Sequence, residues 1–316
     1  MLPHKKVTSI EELIEGRRRQ DCVVHINNIE RLRRYDMLNQ LSYKRLMRKH
    51  DDIIRTLTSV DYDWNQTMII VLLRYIMGQS NRTQAERLGR LLSYHTIMRG
   101  NSSLQNLEAL FLGTAGLLDI YAEDEYVTRL NMEFRHLMNK YNITPMLAGE
   151  WHLSNIYNNA HPVLRLAQLA SCIHQNMISM RAVSSCKSRN DVYRLFAGRA
   201  SQYWVEHFIP KVDTTTISKR VGSFTSDILG INFIAPMLFA YGTYTENETY
   251  REQAMTLLEE IPAENNRYTQ LWNCHSRIAE NAYESQALIQ LSREYCEKQL
   301  CAECPLAHLL LRQAQE

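Results

Sequence analysis

The sequence predicts an all-α protein, an irregular multi-helix bundle or stack of about a dozen helices. Apolar residues recur at spacings of three and four along nearly all of the 316 residues, whereas sustained alternation with a period of two is almost missing. No segment repeats at a fixed period. We therefore expect one helical unit over residues 1–316 rather than a solenoid.

The helices are marked in order by caps and apolar faces. Ser9 is a predicted N-cap, a longer helix or helix pair covers about 28–57, and Asp63 caps a helix that stops at Gly78. Apolar faces predict further helices around 88–92, 104–118, 126–141, 161–177, 195–196, 203–204, 224–241, 250–260 and 282–295. Residues 210–222 break the pattern and form the predicted loop.

Three consecutive segments make up the predicted unit: basic N-terminal helices at 1–60, central helices at 61–209, and C-terminal helices with a cysteine cluster at 223–316. Neither end carries a secretory signal or a lipidation motif, so we expect a cytoplasmic protein. The most apolar stretch, 228–242, has only fifteen residues and contains Asn232 and Pro236. A membrane-spanning helix needs roughly 20 apolar residues, so we expect a buried helix and no membrane contact.

Positive charge is concentrated near the N-terminus. Residues 1–60 contain thirteen Lys and Arg against eight Asp and Glu, although the net charge of the chain is only +2. Clustered basic side chains bind polyanions by releasing counterions, so nucleic acid or an acidic protein is a candidate partner. The candidate binding residues are Arg17, Arg18, Arg19, Arg33 and Arg34. The alternative is an ordinary solvated helix face.

A cysteine cluster near the C-terminus is a candidate metal site. The candidate ligands are Cys296, Cys301, Cys304 and His308. Three thiolates with one His suit tetrahedral zinc, and the cysteine spacing also occurs in plant-type iron–sulfur clusters. Cys274 or His275 is an alternative fourth ligand. Reduced thiols without metal, or a redox pair, stay open as interpretations.

The sequence contains no motif that assigns a catalytic residue. Nucleophile elbows, phosphate loops, a His-Glu-x-x-His helix and dinucleotide-binding glycines are all missing. The eleven His are scattered, and an isolated His is more often a packing or surface residue than a base. This favours a role without catalysis for this chain.

Several strings of residues resemble one bacterial protein family in combination. They are Glu-Ala-Leu-Phe-Leu-Gly-Thr-Ala-Gly-Leu-Leu at 108–118, Arg-Leu-Ala-Gln-Leu-Ala at 165–170, Tyr-Trp at 203–204, Asn232 with Pro-Met-Leu-Phe-Ala-Tyr-Gly at 236–242, Pro-Ala-Glu-Asn-Asn at 262–266, Ser-Gln-Ala-Leu-Ile-Gln-Leu at 285–291, and Tyr295 with the three cysteines. Together they resemble the domain-of-unknown-function family 2851 over residues 22–304. The resemblance implies that relatives carry a further N-terminal portion with Gly-Pro-Asp and Val-Glu-Ile-His patterns, similar to the carboxylate and metal core of restriction-type nucleases. This chain is expected to lack that portion and to be a helical accessory module.

Polar residues within or near these strings allow two interpretations. They are buried groups that crosslink helices, because a buried polar atom needs a partner, or they line a shared pocket. The candidate pocket residues are Glu108, Arg165, Asn232, Glu264 and Asn265.

The sequence as a whole therefore predicts a helical binding or accessory module, associated with nucleic acid through its basic N-terminal helices and stabilised by a small C-terminal metal site. Two alternatives stay open. One is an enzyme that uses the polar pocket, and the other is a scaffold that completes a separate nuclease-like chain.

Overall fold

The computed structural model describes residues 19–214, 219–274 and 276–315, and it confirms the all-α fold class. About 70% of the chain is helical, and strand is almost missing from these residues. The predicted N-cap at Ser9 lies outside the described residues.

In the first part of the described chain, helices follow one another with short connections. They are α1 (Arg19–His25), α2 (Arg31–Thr58), α3 (Trp64–Ile76), α4 (Arg82–Leu91), α5 (Tyr94–Gly100), α6 (Leu104–Thr114), α7 (Glu125–Tyr141) and α8 (Pro162–Asn176). Asp63 caps α3 as predicted, because its Oδ1 accepts the N–H groups of Asn65 and Gln66 at 2.8 and 3.0 Å. Asn142 ends α7 in the left-handed conformation, with φ at 51°.

The second part has shorter helices. They are α9 (Met180–Ser184), α10 (Arg189–Leu195), α11 (Ser223–Leu229), α12 (Ala235–Tyr244), α13 (Glu248–Glu260), α14 (Arg267–Trp272), α15 (Ala282–Leu291) and α16 (Pro305–Gln315). Neither α14 nor α16 was predicted. Leu306 and Leu310 are buried one turn apart on α16, which is the apolar spacing of a helix face.

The predicted loop at 210–222 begins instead within a small hairpin. Strands β1 (His207–Ile209) and β2 (Val212–Asp213) pair in antiparallel fashion, with Ile209 opposite Val212. Lys211 turns the chain between them with φ at 65°. Two strands this short carry too few residues for a period of two to emerge from the sequence.

The apolar stretch around Pro236 is a buried helix, as predicted. Helices α11 and α12 are joined by one π-helical turn, Gly230–Ile234, into a continuous helix over Ser223–Tyr244. Proline has no N–H and its ring clashes with the carbonyl four residues back, so the wider turn just before it relieves that clash. This helix is long and apolar enough to cross a membrane by length and composition, but 67% of its most apolar window is buried within the chain.

The chain divides into two compact units. Unit 1 contains the described residues up to Asp51 and those from Met255 onwards, and unit 2 contains Asp52–Ala254. This grouping differs from the consecutive segments suggested by the sequence, because residues near both ends pack into one unit. The core of unit 1 includes Trp272, with residues of α1, α2, α15 and α16.

In unit 2, helix α3 packs against α4, and α6 packs against both α7 and α8. The Gln66 side chain links α3 to the end of α4. Its Nε2 donates to Gly89 O at 2.7 Å, and its Oε1 accepts the Tyr94 N–H at 2.6 Å. A buried amide that is satisfied on both sides fixes the spacing of these helices.

Candidate functional site

The candidate site is an open cleft of about 590 Å³ in unit 1. It lies between the start of α2 and the segment that joins α14 to α15. The lining residues are Glu30, Arg31, Leu32, Arg34, Tyr35, Leu38, Arg277, Ile278, Glu280 and Glu284. The α2 residues 31, 34, 35 and 38 follow the spacing of one helix face, so local helix formation alone presents two arginines and a tyrosine to the cleft.

Three guanidinium groups at the cleft have no carboxylate partner in the described part of the chain. Arg31 makes no hydrogen bond or ion pair there. Arg34 Nη1 donates to Asn27 Oδ1 at 3.4 Å. Arg277 donates to two backbone carbonyls, from Nε to Ala279 O at 3.3 Å and from Nη2 to Glu280 O at 3.1 Å. Among the described residues, no carboxylate therefore offsets the positive charge of these three side chains.

Two of the three carboxylates at the cleft are already engaged. Glu30 Oε2 lies 3.3 Å from Arg33 Nε, and Glu284 Oε2 accepts the backbone N–H of Glu280 at 2.7 Å. The Glu280 carboxylate makes no hydrogen bond or ion pair within the described residues. As far as the chain is described, the cleft thus offers three arginines and one acid without a partner.

Apolar and aromatic surface borders these charges. Tyr35 is 48% exposed and Leu32 is 64% exposed, although both lie on a helix that buries Met37, Leu38 and Leu41 in the core. An exposed aromatic ring among arginines can stack on a planar ligand while the cations bind its charged groups.

The predicted arginine set is only partly at this cleft. Arg17 and Arg18 lie outside the described residues, and Arg19 begins α1 with a side chain that is not described. Arg33 pairs with Glu30, and Arg34 lines the cleft. Arg31, another of the clustered basic residues near the N-terminus, also lines the cleft, three residues before Arg34. Arg277 could not be predicted as a member of this site, because no local sequence pattern links it to the residues of α2.

Further along α2, the basic residues contact α15 and the turn after it. Arg45 Nε and Lys49 Nζ both donate to Gln286 Oε1, at 2.5 and 2.9 Å. Arg48 forms an ion pair with Glu294. These cations are part of the packing of unit 1, so the basic composition of residues 1–60 overstates the charge that a partner can reach.

The cysteine cluster combines core packing with partial exposure. Cys304 is buried in the core of unit 1, and burial raises the pKa of its thiol. His308 is exposed, and its Nε2 lies 2.6 Å from Ala302 O. In the part of the chain that the structure describes, no three Cys, His, Asp or Glu side chains are arranged to hold a metal ion. His275 lies outside it, and zinc or an iron–sulfur cluster here stays a prediction.

Glu108, the first candidate pocket residue, is fully buried on α6. Ser201 donates to it twice, from Oγ to Oε2 at 3.0 Å and from the backbone N to Oε1 at 3.3 Å, and the Tyr126 hydroxyl also donates to Oε2. Burial raises the pKa of this carboxyl to about 7, although these hydrogen bonds act in the opposite direction. The Glu108 carboxylate thus links α6 to α7 and to the segment just before Trp204.

Arg165 and Asn232 also make local contacts. Arg165 Nη1 donates to Gln168 Oε1 at 3.0 Å and Nη2 donates to Thr225 Oγ1 at 3.1 Å, while burial lowers the pKa of the guanidinium to about 10. Asn232 Nδ2 donates to Ile228 O at 3.1 Å, one turn back in the same helix.

Glu264 and Asn265 belong to unit 1, whereas the other three candidate pocket residues belong to unit 2. The Glu264 carboxylate accepts a hydrogen bond from Gln286, and its backbone N donates to Ser285 Oγ at 3.1 Å. Asn265 is exposed and accepts from Gln270 Nε2 at 2.9 Å. The five residues therefore bond to different partners. Glu108, Arg165 and Glu264 link neighbouring elements, whereas Asn232 bonds within its own helix and Asn265 is exposed.

Comparisons with known proteins add one finding. A protein-family model matches residues 1–267, and the family is described as "Protein of unknown function (DUF2851)". No curated protein matches the chain, and no solved structure matches it.

Proposed function

We propose that this chain, which belongs to the family of proteins of unknown function DUF2851, is a helical module that binds single-stranded nucleic acid at the cleft of unit 1. The observation that carries the proposal is the set of three guanidiniums, on Arg31, Arg34 and Arg277, that have no carboxylate partner among the described residues. Phosphate is the natural counterion for such a group, because a guanidinium offers a fork of N–H donors that matches phosphate oxygens.

A single strand fits the cleft better than a duplex. Tyr35 is 48% exposed beside these arginines, and an aromatic ring there can stack on an unpaired base while the arginines follow the backbone. Stacking of this kind contributes about 1–3 kcal/mol per base and tolerates any base. In a duplex the faces of the bases are covered by their neighbours, so Tyr35 would have nothing to stack on.

The test is fluorescence anisotropy with labelled single-stranded DNA and RNA of about 12 nucleotides at several salt concentrations. Replacing Arg31, Arg34 and Arg277 together by Gln should weaken binding by at least tenfold at low salt. The slope of log affinity against log salt should become shallower by roughly 0.7 for each phosphate that the variant no longer binds.

A matched control removes three positive charges from outside the cleft, by Arg293→Gln, Lys298→Gln and Arg312→Gln; all three side chains are exposed. Affinity in this control should stay within about twofold, since exposed charges that do not contact the ligand are screened by salt. The proposal is overturned if no single-stranded nucleic acid binds at low salt, or if both triple variants lose affinity equally.

A further inference from the structure

We propose that the cleft selects its base, and that the Glu280 carboxylate does so by accepting a hydrogen bond from an exocyclic amino group. Cytosine is then bound in preference to thymine or uracil. This inference rests on the proposed function and assigns to Glu280 a specificity role within the same site.

The backbone that carries Glu280 is held in place from both sides. The Glu280 N–H donates to Glu284 Oε2 at 2.7 Å, and its carbonyl accepts from Arg277 Nη2 at 3.1 Å. Two residues earlier, the Ile278 N–H donates to Asn273 Oδ1 at 2.9 Å, and the Ile278 side chain is buried in the core. The carboxylate is therefore presented from a fixed segment, which is what a selective contact requires.

An ionised carboxylate favours a base that offers it a hydrogen-bond donor. A carboxylate has acceptor oxygens and no donor. Cytosine presents an amino donor at the position where thymine and uracil present a carbonyl oxygen. A carboxylate facing the amino group gains a charge-assisted hydrogen bond. Facing a carbonyl, it gains none, and both groups give up hydrogen bonds to water.

The surrounding charges explain why an acid can lie in a site for a polyanion. Glu30 is engaged by Arg33 and Glu284 by a backbone N–H, so within the described chain Glu280 is the one lining acid without a partner, against three arginines. The phosphates can be bound by the arginines while this one acid reads the edge of a base. The cleft volume of about 590 Å³ falls within the range of roughly 300–1,000 Å³ for small-ligand sites.

The experiment compares the affinities of the full chain for oligodeoxycytidine and oligodeoxythymidine of equal length, by anisotropy at neutral pH. The wild-type chain should prefer the cytidine strand by about tenfold, the effect of one good polar contact to a base. Glu280→Gln should reduce that preference to within about twofold, because an amide offers both an acceptor and a donor. Its affinity for the thymidine strand should rise, since a negative charge is removed from the site.

Glu303→Gln is the charge-matched control, because Glu303 is exposed and does not line the cleft; it should keep the wild-type preference. Equal wild-type affinity for both strands would overturn the selection while leaving the proposed function standing. A preference that survives Glu280→Gln would overturn the role of Glu280. If neither strand binds, the proposed function fails and the inference fails with it. Circular dichroism of each variant verifies that it is folded.

Discussion

Glu108 is a buried carboxylate whose hydrogen-bond partners are hydroxyl and backbone groups rather than cations. The Tyr126 hydroxyl that contacts it also lies 2.8 Å from Ser201 Oγ, and the Tyr126 ring stacks on Tyr203 at a centroid distance of 4.2 Å. Burial also raises the pKa of Tyr126, and the adjacent Glu108 charge adds to that rise. Ionising the carboxyl in this environment costs more free energy than ionising an exposed one.

This cost makes folding stability depend on pH. The folded pKa of Glu108 is raised from 4.5 to about 7, so between these values the folded chain holds a proton that the unfolded chain has released. The contribution of Glu108 to the free energy of unfolding is therefore complete below pH 4.5 and is lost as the pH rises to about 7. Its size is on the order of 3 kcal/mol.

Glu108→Gln should remove this dependence. Denaturant unfolding of wild type and variant at pH values across the interval measures it, and the wild type should lose stability relative to Glu108→Gln as the pH rises. Because the two chains share every other carboxyl, their difference isolates Glu108. Parallel curves for the two proteins would show that this carboxyl titrates normally.

At the scale of elements, the close contacts between helices depend on small residues. Gly198, shortly after α10, lies against the backbone of α8. A Cβ added there would lie 2.5 Å from the backbone N of Cys172 and 2.7 Å from its Cα. A backbone atom in a helix cannot move aside as a side-chain tip can, so the contact requires glycine.

Gly198→Ala should therefore lower the free energy of unfolding by about 1–3 kcal/mol, the usual cost of overpacking. Chemical denaturation measures the loss. Gly149→Ala is the control, since a Cβ there would meet no atom within 4 Å, and its stability should stay within about 0.5 kcal/mol of wild type. Equal losses in the two variants would argue against the close contact.

The cysteine cluster near the C-terminus allows a direct test of the predicted metal site. Elemental analysis and an absorption spectrum of anaerobically purified protein should show one zinc ion per chain if the sequence prediction holds. Cys301→Ser with Cys304→Ser should then lose the metal together with thermal stability, because a structural zinc site contributes directly to folding. Iron with a visible chromophore would indicate a cluster instead. A wild-type chain without metal would leave Cys304 as a core residue and Cys301 as an ordinary thiol.

At the scale of the whole molecule, one helix has the composition of a membrane span but lies in the interior of the chain. The helix over Ser223–Tyr244 has the length and hydropathy of a membrane span, yet Phe233, Met237 and Phe239 on it are fully buried within the chain. An apolar core helix and an apolar span have the same composition, so the difference lies in what covers them. The cytoplasmic location stays a prediction from the sequence.

The sequence was sufficient for the features that depend on neighbours along the chain. Helix periodicity predicted the fold class, and Asp63 predicted the start of a helix that the structure confirms. The strings at 108–118 and 165–170 led to the family whose model matches residues 1–267. The hairpin at 207–213 and the helix α14 were missed, because each is too short to establish a period.

The tertiary structure alone decided where the charged residues meet. Arg31 and Arg34 share a helix face by local geometry, but only packing within unit 1 places them at one cleft with Arg277 and Glu280. Packing within unit 1 also buries the Arg45 side chain. Helix formation is fixed by residues three and four apart, so a sequence can be read for it directly. Convergence of distant side chains depends on how whole helices pack, and no local pattern encodes it.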